Sequence, residues 1–279
     1  MPAPDGDHPM PYHRGSEAGN PPPLDKTGER GSFGAAGPVP WTFAQTIRGA
    51  LATLLPWVAF TVVGQLSSTS TTPAQPLPHG KDLAQGVSFF LFTAILEGAF
   101  VIAPFYYALS RRAPGVSVRN GLRGLGFRRT PLVPAIGWVV GGLAIVILGS
   151  DLYSLLLHAL HSHLLTNTDT LLQQAKTEPL TVMGALAGSV LIAPLCEEIF
   201  FRGYLFGGLL RGMRPLAAVI LSALLFAIAH GLIGSFAPLL LIGVVLAVVR
   251  WRTGSLWPGM AIHICNNALA TILVISALK

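Results

Sequence analysis

The sequence predicts an all-α protein, a polytopic transmembrane helix bundle of seven to eight spans with a buried polar cavity. Three observations carry that reading. Of the 279 residues, 52% are hydrophobic and only 11% are charged, with a mean hydropathy of +0.60; an ordinary soluble domain carries about a quarter charged residues. From residue 41 onward, apolar runs of membrane-crossing length follow one another, and about 20 residues suffice to cross the hydrocarbon core. The last three apolar regions each hold ionisable or amide side chains, which are costly there and tend to mark function.

The elements follow in order. Residues 1–40, beginning "MPAPDGDHPMPYHRGSEAGNPPPLDKTGERG", are rich in proline, glycine and charge and read as a disordered tail. His8 and His13 within it have no metal-like partners. The tail holds no apolar h-region, so no cleavable signal peptide is expected and the first span acts as an uncleaved anchor. Residues 41–279 form the transmembrane domain, with spans expected near 43–64, 87–109, 132–158, 180–209, 215–232, 236–251 and 255–277. The fourth is long enough to be broken or strongly tilted, because "FFRGYLFGGLLRG" contains several glycines. Cys196 and Cys265 both fall inside apolar segments and read as free, buried small hydrophobes rather than a disulfide framework.

Charge gives the orientation. The loop at 110–130, "SRRAPGVSVRNGLRGLGFRRT", has six arginines and no acid, and the short "RGMR" and "RWR" turns are also basic. The loops at 65–86 and 159–179 are nearly free of positive charge. Arginine clusters between apolar runs fit cytoplasmic loops better than a nucleic-acid face, so the formal net charge of +6 implies a lipid bilayer and not nucleic acid as the partner. The tail is then cytoplasmic. His158, His161 and His163 cluster at the outer end of the third span; a helix would put His158 and His161, three apart, on one face, as a polar interface or an outer metal site.

The chemistry lies in "PLCEEIFFRGYL". Glu198 and Arg202 are four apart, share a helical face and can pair. Glu197 is turned about 100° away from Glu198 and is left free to take a proton. Phe226 and His230, and His263 and Asn267, have the same four-residue spacing. Counted from the basic turns, Glu197, His230, His263 and Asn267 fall at broadly similar depth, so they are expected to meet in one cavity. One chemistry for this set is peptide hydrolysis by a water that Glu197 deprotonates and His230 helps to hold, with His263 and Asn267 as donors to the oxyanion. The other makes Glu197, His230 and His263 ligands of a catalytic zinc, although the "HExxH" signature is absent.

These residues resemble the motifs EExxxR, FxxxH and HxxxN of the CPBP intramembrane proteases, the CAAX protease and bacteriocin-processing (Abi) family that includes the Rce1-type CAAX prenyl endopeptidases. The chain has "EEIFFR" at 197–202, "FAIAH" at 226–230 and "HICNN" at 263–267, in order, within a core of about 180–275. The "LGFRR" at 125–129 also resembles a stretch common in bacterial members. The resemblance implies an intramembrane endopeptidase with Glu197 as base beside His230, an oxyanion site of His263 and Asn267, and Glu198, Arg202 and Phe226 in support. It implies a cavity reached from the cytoplasm and the lipid, and a multi-pass protein of a bacterial cell membrane. Its substrate would be a peptide or protein, lipid-modified in the CAAX-type members and a leader or other peptide in the bacterial ones. The family is often labelled metalloprotease, but the glutamate–histidine site reads equally as metal-independent, which is the expectation favoured here. Two other functions remain open at this stage. A membrane adaptor or bacteriocin-immunity protein would keep the fold and work through the tail. A proton-coupled carrier would also use buried Glu, His and Arg, but no inverted repeat supports it.

Overall fold

The computed structural model describes residues 37–277 apart from 38, 68–75 and 111–116. The expected tail lies outside the described residues as far as residue 36; Val39 and Trp41 are buried. All regular elements among the described residues are helical. In chain order they are α1 (Phe43–Ser67), α2 (His79–Leu109), α3 (Val118–Leu125), α4 (Leu132–Ala159), α5 (Asn167–Ala175), α6 (Pro179–Leu191) and α7 (Ala193–Glu197). A π-helical segment, Glu198–Leu205, follows. Then come α8 (Phe206–Leu209), α9 (Pro215–Ala229), a 3-10 turn at Ile233–Ser235, α10 (Phe236–Thr253) and α11 (Trp257–Ser276).

Six helical stretches are long and apolar enough to cross a membrane, at 43–63, 79–109, 132–159, 179–209, 233–253 and 257–276; α9 is a shorter apolar helix. This is a multi-pass membrane protein. The expected break in the fourth span is present, and it takes the form of α6, α7, the π-helical segment and α8 in series. Leu132, Val133, Leu148, Leu152 and Leu155 on α4 are exposed. Lipid, unlike water, carries no penalty for such a surface.

Two sets of polar contacts hold the ends of the bundle. At one end Asp82 of α2 accepts the backbone N–H groups of Leu180 and Thr181, both at 2.9 Å, and the Thr181 hydroxyl at 2.7 Å. Those amides belong to the first turn of α6 and have no partner within their own helix, so a neighbouring helix caps them. The close approach needs Gly86 and Gly184, where a Cβ would run into the backbone of Leu180 and of Gly86 respectively. At the arginine-rich end, Arg250 donates to Gly124 O at 3.0 Å, Ser255 Oγ to Arg128 O at 2.8 Å and Arg211 to Val39 O at 2.6 Å. Gly126 ends α3 at φ 101°, a left-handed turn that favours glycine.

Sequence and structure differ at the histidine cluster. α4 ends at Ala159, and His161 sits in a turn at φ 48°. His158 and His161 therefore do not share a helical face. Cys196 and Cys265 are free, as expected, but neither is buried: Cys196 is half-buried and Cys265 exposed.

Candidate active site

Glu197 is the last residue of α7 and Glu198 the first of the π-helical segment. π-helical insertions widen the turn and often sit at functional sites. Both glutamates are buried, yet they face different surroundings. Glu198 meets Arg202, whose Nη1 donates to Glu198 Oε1 at 2.7 Å with both side chains enclosed. Arg202 also donates to Gly243 O at 3.3 Å and lies 4.3 Å from the centroid of the Phe226 ring. Glu197 lines a cavity of about 390 Å³, and its Oε2 has no hydrogen-bond partner.

Two histidines reach Glu197 from two other helices. His230, at the end of α9, places Nε2 3.8 Å from Glu197 Oε1. Its Nδ1 lies 2.8 Å from Phe226 O. A carbonyl can only accept, so Nδ1 carries the hydrogen, and the neutral form of the ring turns a bare Nε2 toward the carboxylate. His263 of α11 lies between the two glutamates, with Nε2 3.5 Å from Glu197 Oε2 and Nδ1 3.4 Å from Glu198 Oε1. Phe226 is fully enclosed among these groups, its ring 4.7 Å from that of His230 and 5.7 Å from that of His263. The sequence motifs therefore converge: Glu197, Glu198, Arg202, Phe226, His230 and His263 form one contiguous cluster.

Asn267 lies farther along the same wall. It lines the cavity, and its Nδ2 donates to Ser189 O at 2.9 Å. Asn266, which the motif reading does not single out, lines the cavity too and donates to Asn267 Oδ1 at 3.2 Å.

A third carboxylate was missed by the sequence reading. Glu97 of α2 lines the same cavity, is only 5% exposed and has an unpartnered Oε2. The signal was present, because Glu97 is the only acid between residues 83 and 109 of α2, and an intramembrane acid is a functional candidate by default.

Among the described residues, no group of three or more His, Cys, Asp or Glu side chains is placed to hold a metal ion. Glu197, His230 and His263 are close, but they do not form a ligand set. The same holds for His158, His161 and His163.

Residues 179–269 match the family model described as Type II CAAX prenyl endopeptidase Rce1-like. Through this segment the chain is similar to the Rce1-like family. The Rce1-like segment runs from the first residue of α6 into α11 and contains every motif residue above. It covers about a third of the chain. Glu97 and the rest of α1–α5 lie outside it. No curated protein and no solved structure matches the chain.

Proposed function

We propose that the protein is an intramembrane endopeptidase that hydrolyses a peptide bond with a water activated by Glu197 and His230, without a metal ion. One observation supports this above the others. Two hydrogen-bond acceptors, Glu197 Oε1 and the bare Nε2 of His230, face each other 3.8 Å apart on the wall of a cavity. Two acceptors at that distance have nothing to offer each other. A water at about 2.8 Å from each would donate one hydrogen to each, and its oxygen lone pairs would then point away from both toward the cavity.

Glu197 takes one proton of the water as its oxygen bonds to the scissile carbonyl carbon. Asn267 spends one Nδ2 hydrogen on Ser189 O and keeps the other for the developing oxyanion, with His263 beside it on the same wall. The C–N bond then breaks, and the proton held by Glu197 passes to the departing amine. Glu198 and Arg202 carry no proton in this scheme. Their ion pair holds the π-helical segment, and Glu198 Oε1 lies 3.4 Å from His263 Nδ1. The substrate is a membrane-associated peptide or protein, a class that includes CAAX-type C termini and processed leader peptides.

The test compares peptides released in membranes of cells lacking the native protein and complemented with wild type or Glu197→Gln at equal levels. Peptide ends present only with wild type are expected. Identical peptide sets, with both proteins folded, would overturn the peptidase reading in favour of an adaptor or immunity protein.

A further inference from the structure

Helix α2 carries two buried acids, and only one is spent on structure. Asp82 accepts two backbone amides and a hydroxyl from α6. Glu97, about four turns further along the helix, is 5% exposed and its Oε2 has no hydrogen-bond partner. None of the ion pairs among the described residues includes it. An acid held in this way is costly in a membrane interior unless something pairs with it. The water-activation scheme makes no use of it.

Its surroundings indicate what would pair with it. Thr93, Glu97 and Phe100 lie on one face of α2, and all three line the cavity that Glu197 lines. Trp57 of α1 lines it as well. The Trp57 ring is fixed by its Nε1 bond to Ala229 O at 2.8 Å and by an edge contact with Phe100, the ring centroids 4.7 Å apart. Among the described residues, the cavity wall holds two carboxylates, two histidines and no lysine or arginine. Arg202 is not on this wall, because it is buried against Glu198. A carboxylate beside an indole and a phenyl ring suits an organic cation, through its charge and through the faces of the rings.

The two carboxylates are close enough for their charges to act on each other. Glu197 must begin as a carboxylate to take a proton from water, and a second negative charge beside it opposes that state. A positive charge delivered with the substrate would pair with Glu97 and relieve the repulsion when the base is needed.

We propose that Glu97, Trp57 and Phe100 form a cation subsite of the catalytic cavity, which takes the protonated amine or guanidinium of a peptide with a lysine, an arginine or a free N-terminus beside the scissile bond. Glu97 is then a specificity-determining residue and takes no part in breaking the bond. It lies outside the segment that matches the Rce1-like family model, so the selectivity is supplied by this chain's own α1 and α2.

The scissile bond comes from the proposed peptidase function; the subsite itself is tested by binding. The probes are acetyl-Leu-Ala-X-Ala-Leu-amide peptides in which X is lysine, arginine, norleucine or glutamate, with an N-terminally uncapped norleucine peptide to represent the terminal amine. Binding to the purified full chain in non-ionic detergent is followed by tryptophan fluorescence and by the rise in melting temperature. A cationic peptide should bind at least about tenfold more tightly than capped norleucine, the scale of one hydrogen bond to a charged group, and the glutamate peptide most weakly. Preference for the capped lysine and arginine peptides identifies a side chain as the cation; preference for uncapped norleucine identifies the terminal amine. Glu97→Gln should remove the preference and Glu97→Asp should keep part of it. Equal binding of the cationic and capped norleucine peptides, binding of none of them, or a preference unchanged in Glu97→Gln overturns the proposal. The comparison on the unsubstituted chain decides the matter even if Glu97→Gln does not fold. In cells, released peptide ends with no cationic group nearby would keep the peptidase reading and remove the subsite. A preference for cationic peptides in a protein that releases no peptide would do the reverse.

Discussion

Arg202 is the residue whose loss the structure prices most clearly. The substitution Arg202→Met keeps length and apolar bulk but strands Glu198, which is fully buried. Breaking a buried ion pair by removing one partner costs about 3–5 kcal/mol. The 4.3 Å contact of Arg202 with the Phe226 ring contributes to the same loss and is not added separately. For a domain of this size each kcal/mol corresponds to about 2–4 °C in melting temperature, so the shift should be roughly 6–20 °C. The assay is thermal unfolding of purified protein in detergent, followed by fluorescence. A double variant, Arg202→Met with Glu198→Gln, replaces the stranded charge by a neutral amide and should recover at least half of the lost stability. The reasoning fails if Arg202→Met melts within about 2 °C of wild type, or if the double variant is no more stable than the single one.

Other substitutions and treatments separate the remaining roles. Asn267→Ala should lower the cleavage rate by about 10²–10³-fold, the usual cost of one oxyanion donor, and its lost bond to Ser189 should cost only about 1 kcal/mol of stability. A loss of folding without a specific rate effect would make Asn267 structural. Glu197→Gln should slow cleavage by at least about 10²-fold, the lower range of what a general base contributes, while melting near wild type. Treatment with EDTA or phenanthroline should leave cleavage unchanged; loss of cleavage that zinc restores would establish a metal site. Asp82→Asn should lower the melting temperature without changing the cleavage rate per folded molecule, because it weakens the cap that α2 provides for α6.

Much of the architecture was legible because a bilayer imposes a simple rule. Helix length and apolarity suffice to place a span, and the expected spans at 43–64, 132–158 and 255–277 fall within a few residues of α1, α4 and α11. The convergence of Glu197, His230 and His263 was legible for a similar reason, since four-residue spacings and counts from the basic turns are properties of the chain itself. The second span began earlier than expected, at His79, because Asp82 is satisfied by α6 and need not lie outside the membrane. That satisfaction is a tertiary fact, as is the placement of Glu97 in the cavity. His161 defeated the helical reading because the chain turns at a left-handed residue, and histidine carries no marker of such a turn as strong as glycine does. The π-helical segment was equally hidden. The glycines at 203, 207, 208 and 212 suggest a break in the span but not which hydrogen-bonding pattern results.

That segment explains why two adjacent carboxylates occupy a place so costly to charge. Neighbouring side chains on a helix point about 100° apart, so one of the pair can line a cavity while the other enters the packed interior. The change from α7 to the wider π turn falls between Glu197 and Glu198. Glu198 gives its charge to Arg202, and Arg202 reaches across to Gly243 of α10 and rests on Phe226 of α9. Phe226 packs against His230, and its carbonyl sets which nitrogen of His230 faces Glu197. In the proposed mechanism the second glutamate thus fixes, through an ion pair and one aromatic ring, the histidine that works with the first. On that mechanism neither carboxylate can be exchanged for the other, because Glu198 serves only when it is paired and Glu197 only when it is not.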